Sequence, residues 1–166
     1  MRYWTGAAIA LFLALLQASS IEQFKVLGVT PNLLLVLLVS WLVVRGLDDV
    51  LPMIAVAGVT IGFVGLQTPG LVLLALLPIA GLGLLREMHV IHSDLVLVLA
   101  FVLAASVAYE LIIVASLMVS GGGYDVMAAL RSDIVPSAIV NVAITPFVYV
   151  VMRFAKPSLR RNRLAY

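Results

Sequence analysis

Cysteine is absent from the 166 residues, and charge is scarce: ten basic and eight acidic side chains make up 11% of the chain. Without cysteine there is no disulfide framework, no thiolate metal site and no cysteine nucleophile. Catalytic arrangements are also missing. No phosphate-binding glycine loop of Walker type occurs, no serine nucleophile elbow, and no pair of carboxylates in a plausible active site. The reading is therefore a chain without enzymatic activity and without a cofactor. His89 and His92 are the two histidines, and with Arg86, Glu87 and Asp94 they read as a solvated loop. Two imidazoles spaced by three do not make a metal site.

What the chain does have is apolar surface. Hydrophobic residues are 64% of the sequence and the mean hydropathy is +1.21. A soluble core of this length could not hide so much, so a bilayer has to be the solvent. Charges fall between the apolar runs, as expected when each costs roughly 2.5 to 3.5 kcal/mol at mid-bilayer. The fold class that follows is all-α, a polytopic integral membrane protein. Six segments can be drawn: Tyr3 to Ile21, Pro31 to Val44, Val50 to Leu66, Gly70 to Leu85, Leu95 to Val119 and Ile134 to Met152. With the N-terminus in the cytoplasm, Arg2, Arg45, Arg86, Arg153, Lys156, Arg160, Arg161 and Arg163 lie inside and only Lys25 and Arg131 outside. The positive-inside rule then favours six transmembrane helices with both termini cytoplasmic. Residues 1–153 form the membrane domain and 154–166 a basic cytoplasmic tail. Ala18-Ser19-Ser20 after an apolar run looks like a cleavage site, but a nineteen-residue run reads better as a retained helix.

The second segment is short. Fourteen residues from Pro31 to Val44 rise about 21 Å, against a hydrocarbon core of about 30 Å. Either Val26 to Thr30 completes the crossing or neighbouring helices shield the short end, with Pro31 suited to the first helical turn. The fifth segment is long enough to tilt or protrude. A polar interval from Ser120 through the glycines 121–123 to Asp133 follows it, with Val126 to Leu130 expected at the interface.

Polar residues inside apolar segments carry the functional question. Glu110 is a carboxyl deep in the fifth segment, which must be protonated, paired or facing water. It reads as an ion-coupling or partner-helix contact on one side, and as a carboxyl hydrogen-bonded to Tyr109 or a neighbouring helix on the other. Asn141 is followed by Thr145 and Pro146, where the proline removes a backbone donor and the two polar side chains bridge the gap or bind a second helix. We expect Glu110 and Asn141 to face one another. Gln17 and Gln67 are polar anchors at the outer helix ends, and Gln17, Asn32, Glu110 and Asn141 are the candidate intramembrane polar contacts. Gly58, Gly62 and Gly65 share one helix face and permit close approach, either within the bundle or for a partner's helix. Arg153, Lys156, Arg160, Arg161 and Arg163 would hold the tail against anionic lipid or a cytoplasmic protein.

The order of these features resembles the rod shape-determining protein MreD family. The residues that carry the likeness are Leu16-Gln17-Ala18-Ser19, Gly28-Val29-Thr30-Pro31-Asn32-Leu33-Leu34-Leu35, the run Gly58-Val59-Thr60-Ile61-Gly62-Phe63-Val64-Gly65-Leu66, and the basic tail after Asn141, Pro146 and Arg153. Where the family often has an acidic residue soon after the third helix, this chain has Gln67-Thr68-Pro69. The resemblance implies a non-enzymatic scaffold in the bacterial inner membrane, part of the machinery that elongates the cell wall. Its expected partner is MreC, a bitopic protein, alongside MreB filaments and the RodA glycosyltransferase with its transpeptidase. The family is also similar in helix arrangement to the S-components of energy-coupling-factor transporters, which supplies the alternative of a vitamin-binding subunit. On the scaffold reading Gly58, Gly62 and Gly65 are the docking residues. On the transporter reading Gln17, Asn32, Glu110 and Asn141 would line a pocket.

Overall fold

The computed structural model describes residues 2–19, 28–65, 67–87, 94–121 and 125–154. The chain is an all-α polytopic membrane protein. Its helices are α1 (Arg2–Ser19), α2 (Leu33–Arg45), α3 (Leu47–Val64), α4 (Pro69–Glu87), α5 (Asp94–Val119), the short α6 (Val126–Ala129) and α7 (Val135–Phe154). A π-helical turn, Leu130–Ile134, joins α6 to α7, so Val126–Phe154 is one continuous helix of 29 residues. Four helices are long and apolar enough to cross a membrane: α3, α4, α5 and this last one. The apolar stretches Gly6–Gln17 and Leu33–Arg45 are shorter.

The helices run alternately up and down. Gly46 alone connects α2 to α3, its φ of +103° lying in the region that glycine enters without a Cβ clash. The ends of α2 and α4 meet there: a Cβ added at Gly46 would sit 3.6 Å from an Arg86 Nη, and one at Gly83 would touch Leu42 and Leu47. Arg45, Arg86 and Arg153 each occupy the last turn of a helix that finishes at this end, while Asp48, Asp49 and Asp94 occupy first turns of helices that start there. Both placements oppose the helix macrodipoles favourably. Arg45 also stacks 4.7 Å above the Trp41 ring. We call this the basic end.

Around the central helix α2 stand α1, α3, α4, α5 and α7, each in contact with it. Ten consecutive α2 residues, Leu34 to Val43, are buried, which no amphipathic surface helix would show. That answers the problem of its length: neighbours shield the short end, and Gly28 to Asn32 is not helical. Most core side chains belong to one cluster built on α2. A second, small cluster of Val114, Ala129 and Ile134 holds the far ends of α5 and the last helix together. The outward faces stay apolar, with Phe63 at 78% and Phe154 at 86% exposure, as suits a lipid solvent.

Three expected boundaries are corrected. The second helix starts at Leu33 with Asn32 as its cap, so Pro31 precedes the helix. The third starts at Leu47, because one glycine suffices to reverse the chain. The sixth starts at Val126, because Asp125 accepts a hydrogen bond from the Met127 N–H at 2.9 Å and the π turn carries the helix through Arg131-Ser132-Asp133. That stretch is not a loop.

Of the two readings of the glycine face, close packing within the bundle holds for Gly58 and Gly62, and partner docking at those two is corrected. Gly58 and Gly62 are buried and turned toward α4. A Cβ at Gly58 would come within 3.2 Å of Leu73 Cα, and one at Gly62 would overlap the backbone of Pro69. Gly65 is exposed and caps α3, its N–H bonding Ile61 O at 2.7 Å. The face that could have received a partner helix is occupied by this chain's own α4. Replacing Gly62 by alanine should therefore destabilise the bundle by about 1 to 3 kcal/mol through overpacking. Gly81→Ala, where nothing lies within 4 Å, should be neutral or stabilising by about 0.5 to 1 kcal/mol. Unfolding of the purified protein in mixed micelles measures both, and equal effects would contradict the packing described.

Candidate functional site: a polar node at the buried start of the central helix

A helix leaves its first N–H groups without intrahelical partners, and α2 begins where water cannot supply them. Three carboxamides do so instead. Asn32 Oδ1 accepts from the Leu35 N–H at 3.0 Å, the usual capping geometry. Gln17 Oε1, from the end of α1, accepts from the Leu34 N–H at 2.9 Å. Asn141 Oδ1, from α7, accepts from the Asn32 N–H at 2.8 Å. The same amides then bond one another: Gln17 Nε2 donates to Asn32 Oδ1 at 3.0 Å, and Asn141 Nδ2 donates to Ser106 Oγ on α5 at 3.0 Å. Four helices are tied at one level. Asn141 is 2% exposed and Ser106 1%, while Gln17 and Asn32 are half-buried, so it is on the α5 and α7 side that the node is desolvated and its bonds count for more than in water.

Beside the node, Thr145 Oγ1 donates to Asn141 O at 2.7 Å, one residue before Pro146 removes a backbone donor. Of the two roles the sequence suggests, the Asn141 side chain binds other helices, while Thr145 bonds back one turn within α7. Pro31, immediately before the cap, is buried and carries no N–H that would need a partner there.

Of the four candidate polar contacts, the structure brings Gln17, Asn32 and Asn141 together and leaves Glu110 out. The expected pairing of Glu110 with Asn141 is corrected: Asn141 meets Ser106, and Glu110, one turn further along α5, is hydrogen-bonded by Ser137, one turn further along α7, with the like charge of Asp133 in its surroundings. The two pairs follow from antiparallel packing, since residues four apart lie on the same side of each helix. Ser106 and Ser137 escaped the reading of the sequence because serine is ordinary in membrane helices. Their spacing of four from Glu110 and Asn141 was the available signal.

Gln67 is half-buried, and its Oε1 lacks a hydrogen-bond partner. Arg153 is exposed at the end of α7. Lys156, Arg160, Arg161 and Arg163, and likewise His89 and His92, lie outside the described residues.

Comparison of the chain with protein-family models, with curated proteins and with solved structures finds no match.

A double-mutant cycle tests the node. Ser106→Ala and Asn141→Leu should couple by about 0.6 to 1.7 kcal/mol, the range of interhelical hydrogen bonds in membranes, and more strongly than Glu110→Leu couples with Asn141→Leu. Additive effects for the first pair would remove it. Asn32→Ala alone, which strips acceptors from the Leu35 N–H and Gln17, should cost about 1 to 3 kcal/mol.

Proposed function

We propose that this chain is a non-enzymatic scaffold of the bacterial inner membrane that works in cell-wall elongation, in the manner of the MreD family, by holding an MreC-like bitopic partner. On this reading both termini are cytoplasmic, the basic end is the cytoplasmic end, and the basic tail lies against anionic lipid or cytoskeletal protein.

The observation that carries the reading is the state of the interior polar groups. Both ends of the Gln17 amide and both ends of the Asn141 amide are engaged with other groups of the chain, and Asn32 Oδ1 accepts twice. A vitamin-binding subunit needs convergent polar groups free to meet a ligand. Here three of the four residues that would have to line such a pocket, Gln17, Asn32 and Asn141, are committed to holding α2. With its interior occupied, the molecule has its lipid-facing surfaces and its two ends left to act with. Those surfaces are apolar, and what an apolar helix bundle can do with them is grip other apolar helices.

The family likeness supplies the identity of the partner. It rests on Gln17 and on the run Gly28 to Leu35, whose residues include the node's cap. The glycine face does not serve the proposal, since α4 covers Gly58 and Gly62. Docking therefore falls to a surface that lacks a glycine stripe.

Co-expression with an MreC-like protein tests this. The full chain, extracted in mild detergent, should retain the partner through affinity purification, and a partner stripped of its transmembrane helix should be lost. Failure of retention by chains shown to be folded would overturn the proposal. A rise of several degrees in melting temperature with a vitamin would replace it with the transporter reading.

A further inference from the structure

Beyond the node, α5 and the last helix continue without α2 between them. From Ser106 to Val119 is about 20 Å of helix and from Asn141 to Val126 about 22 Å, so about half of each of these two helices extends past the start of the central one. Glu110 lies on this stretch, half-buried. It is the seventeenth residue of a helix that begins at Asp94 and ends at Val119, well inside the apolar segment, where an ionised carboxyl without a counter-charge is costly. The chain gives it little relief. Ser137 contributes one hydrogen bond, and Asp133 adds repulsion. Among the described residues no basic side chain forms an ion pair with it. Among the described residues the far end carries Glu110, Asp125 and Asp133 against Arg131.

The surroundings of Glu110 on α5 have a pattern. Leu103 and Leu117, seven residues before and after it, are 48% and 38% exposed. A spacing of seven keeps residues on nearly one line of a helix, so the carboxyl stands midway along an outward-facing leucine line about 21 Å long. In helix pairs packed on such a repeat, a single polar position among apolar ones fixes register and partner choice. We propose that the Leu103–Glu110–Leu117 line of α5 receives a partner's transmembrane helix that carries a lysine or arginine at this depth, the basic side chain pairing with Glu110. The apolar ends of the line hold the helix, and the charge pair sets how far it is inserted. This rests on the scaffold reading and names the surface and the chemistry that reading requires.

The test uses the full chain with its co-expressed bitopic partner in nanodiscs. Glu110→Gln should lower partner affinity at least tenfold while leaving the melting temperature of the chain alone unchanged or higher, because an uncompensated carboxylate has been removed. Glu110→Lys should abolish binding, and reversal of the partner's basic residue to glutamate should restore it. A photo-crosslinker at Leu103 or Leu117 should capture the partner, and one at Leu74 on α4 should not. Should Glu110→Gln fail to fold, the crosslinks and the exposed variant Asp133→Asn, expected to weaken binding to a lesser degree, decide the matter. Retention of the partner by Glu110→Gln within twofold of the unaltered chain overturns the inference and leaves the scaffold reading standing. Loss of a sodium-dependent stabilisation in Glu110→Gln, with partner binding intact, assigns the carboxyl to a small cation instead. A partner that never binds the unaltered chain removes both.

Discussion

In hydrocarbon a helix cannot begin freely. Its first N–H groups lack intrahelical acceptors, no water is present to take them, and each one left bare costs several kcal/mol. The chain begins α2 below the level its neighbours reach, so everything around that start has to provide acceptors. Asn32 caps from within, Gln17 arrives from α1 and Asn141 from α7. Pro31 spares one donor. The packing of the bundle follows from this: α1 has to end, α2 has to begin and α7 has to pass at one level, and Ser106 fixes α5 to the same level through Asn141. Apolar packing alone leaves helix pairs free to slide, because lipid tails are as apolar as leucine. The carboxamide node removes that freedom.

The remaining contacts divide the work. On the α3–α4 side, register comes from backbone proximity at Gly58 and Gly62, where a missing Cβ sets how near the helices come. At the basic end it comes from a one-residue reversal at Gly46 and from arginines and aspartates placed against the helix dipoles. The three devices differ chemically: hydrogen bonds at the node, steric fit at the glycines and electrostatics at the basic end.

How much of this can be read in the sequence depends on the range of the interaction. Hydropathy is local, so the all-helical membrane character and the approximate segments are legible, and so is the shortness of α2. The residues of the node are also visible individually, since Gln17, Asn32 and Asn141 are polar groups in apolar runs. Their convergence is not, because 109 positions separate Asn32 from Asn141 and no spacing rule spans such a gap. Gly58 and Gly62 show which side of α3 admits close approach, but the identity of the neighbour, α4, is a tertiary fact. The stretch from Val126 to Ile134 misleads for a different reason. The run Arg131-Ser132-Asp133 reads as part of a polar interval, whereas a single cap at Asp125 and a π turn suffice to keep the backbone helical from Val126 on.

The uneven lengths of the helices connect this architecture to what it can do. A bundle of equal helices around a full-length centre would present the same surface at every depth. Here the centre ends at the node, and α5 with the last helix continues past it without α2, joined by its own small cluster of Val114, Ala129 and Ile134. That pair is thus anchored at one end by a desolvated network and unaccompanied by α2 at the other. Polar groups on the anchored half, Ser106 and Asn141, are spent on holding the fold. The next turn along the same two helices carries Glu110 and Ser137, which α2 does not reach. The same sequence spacing of four therefore produces two kinds of position, one tied to α2 and one beyond its reach, and the boundary between them is set by where α2 begins.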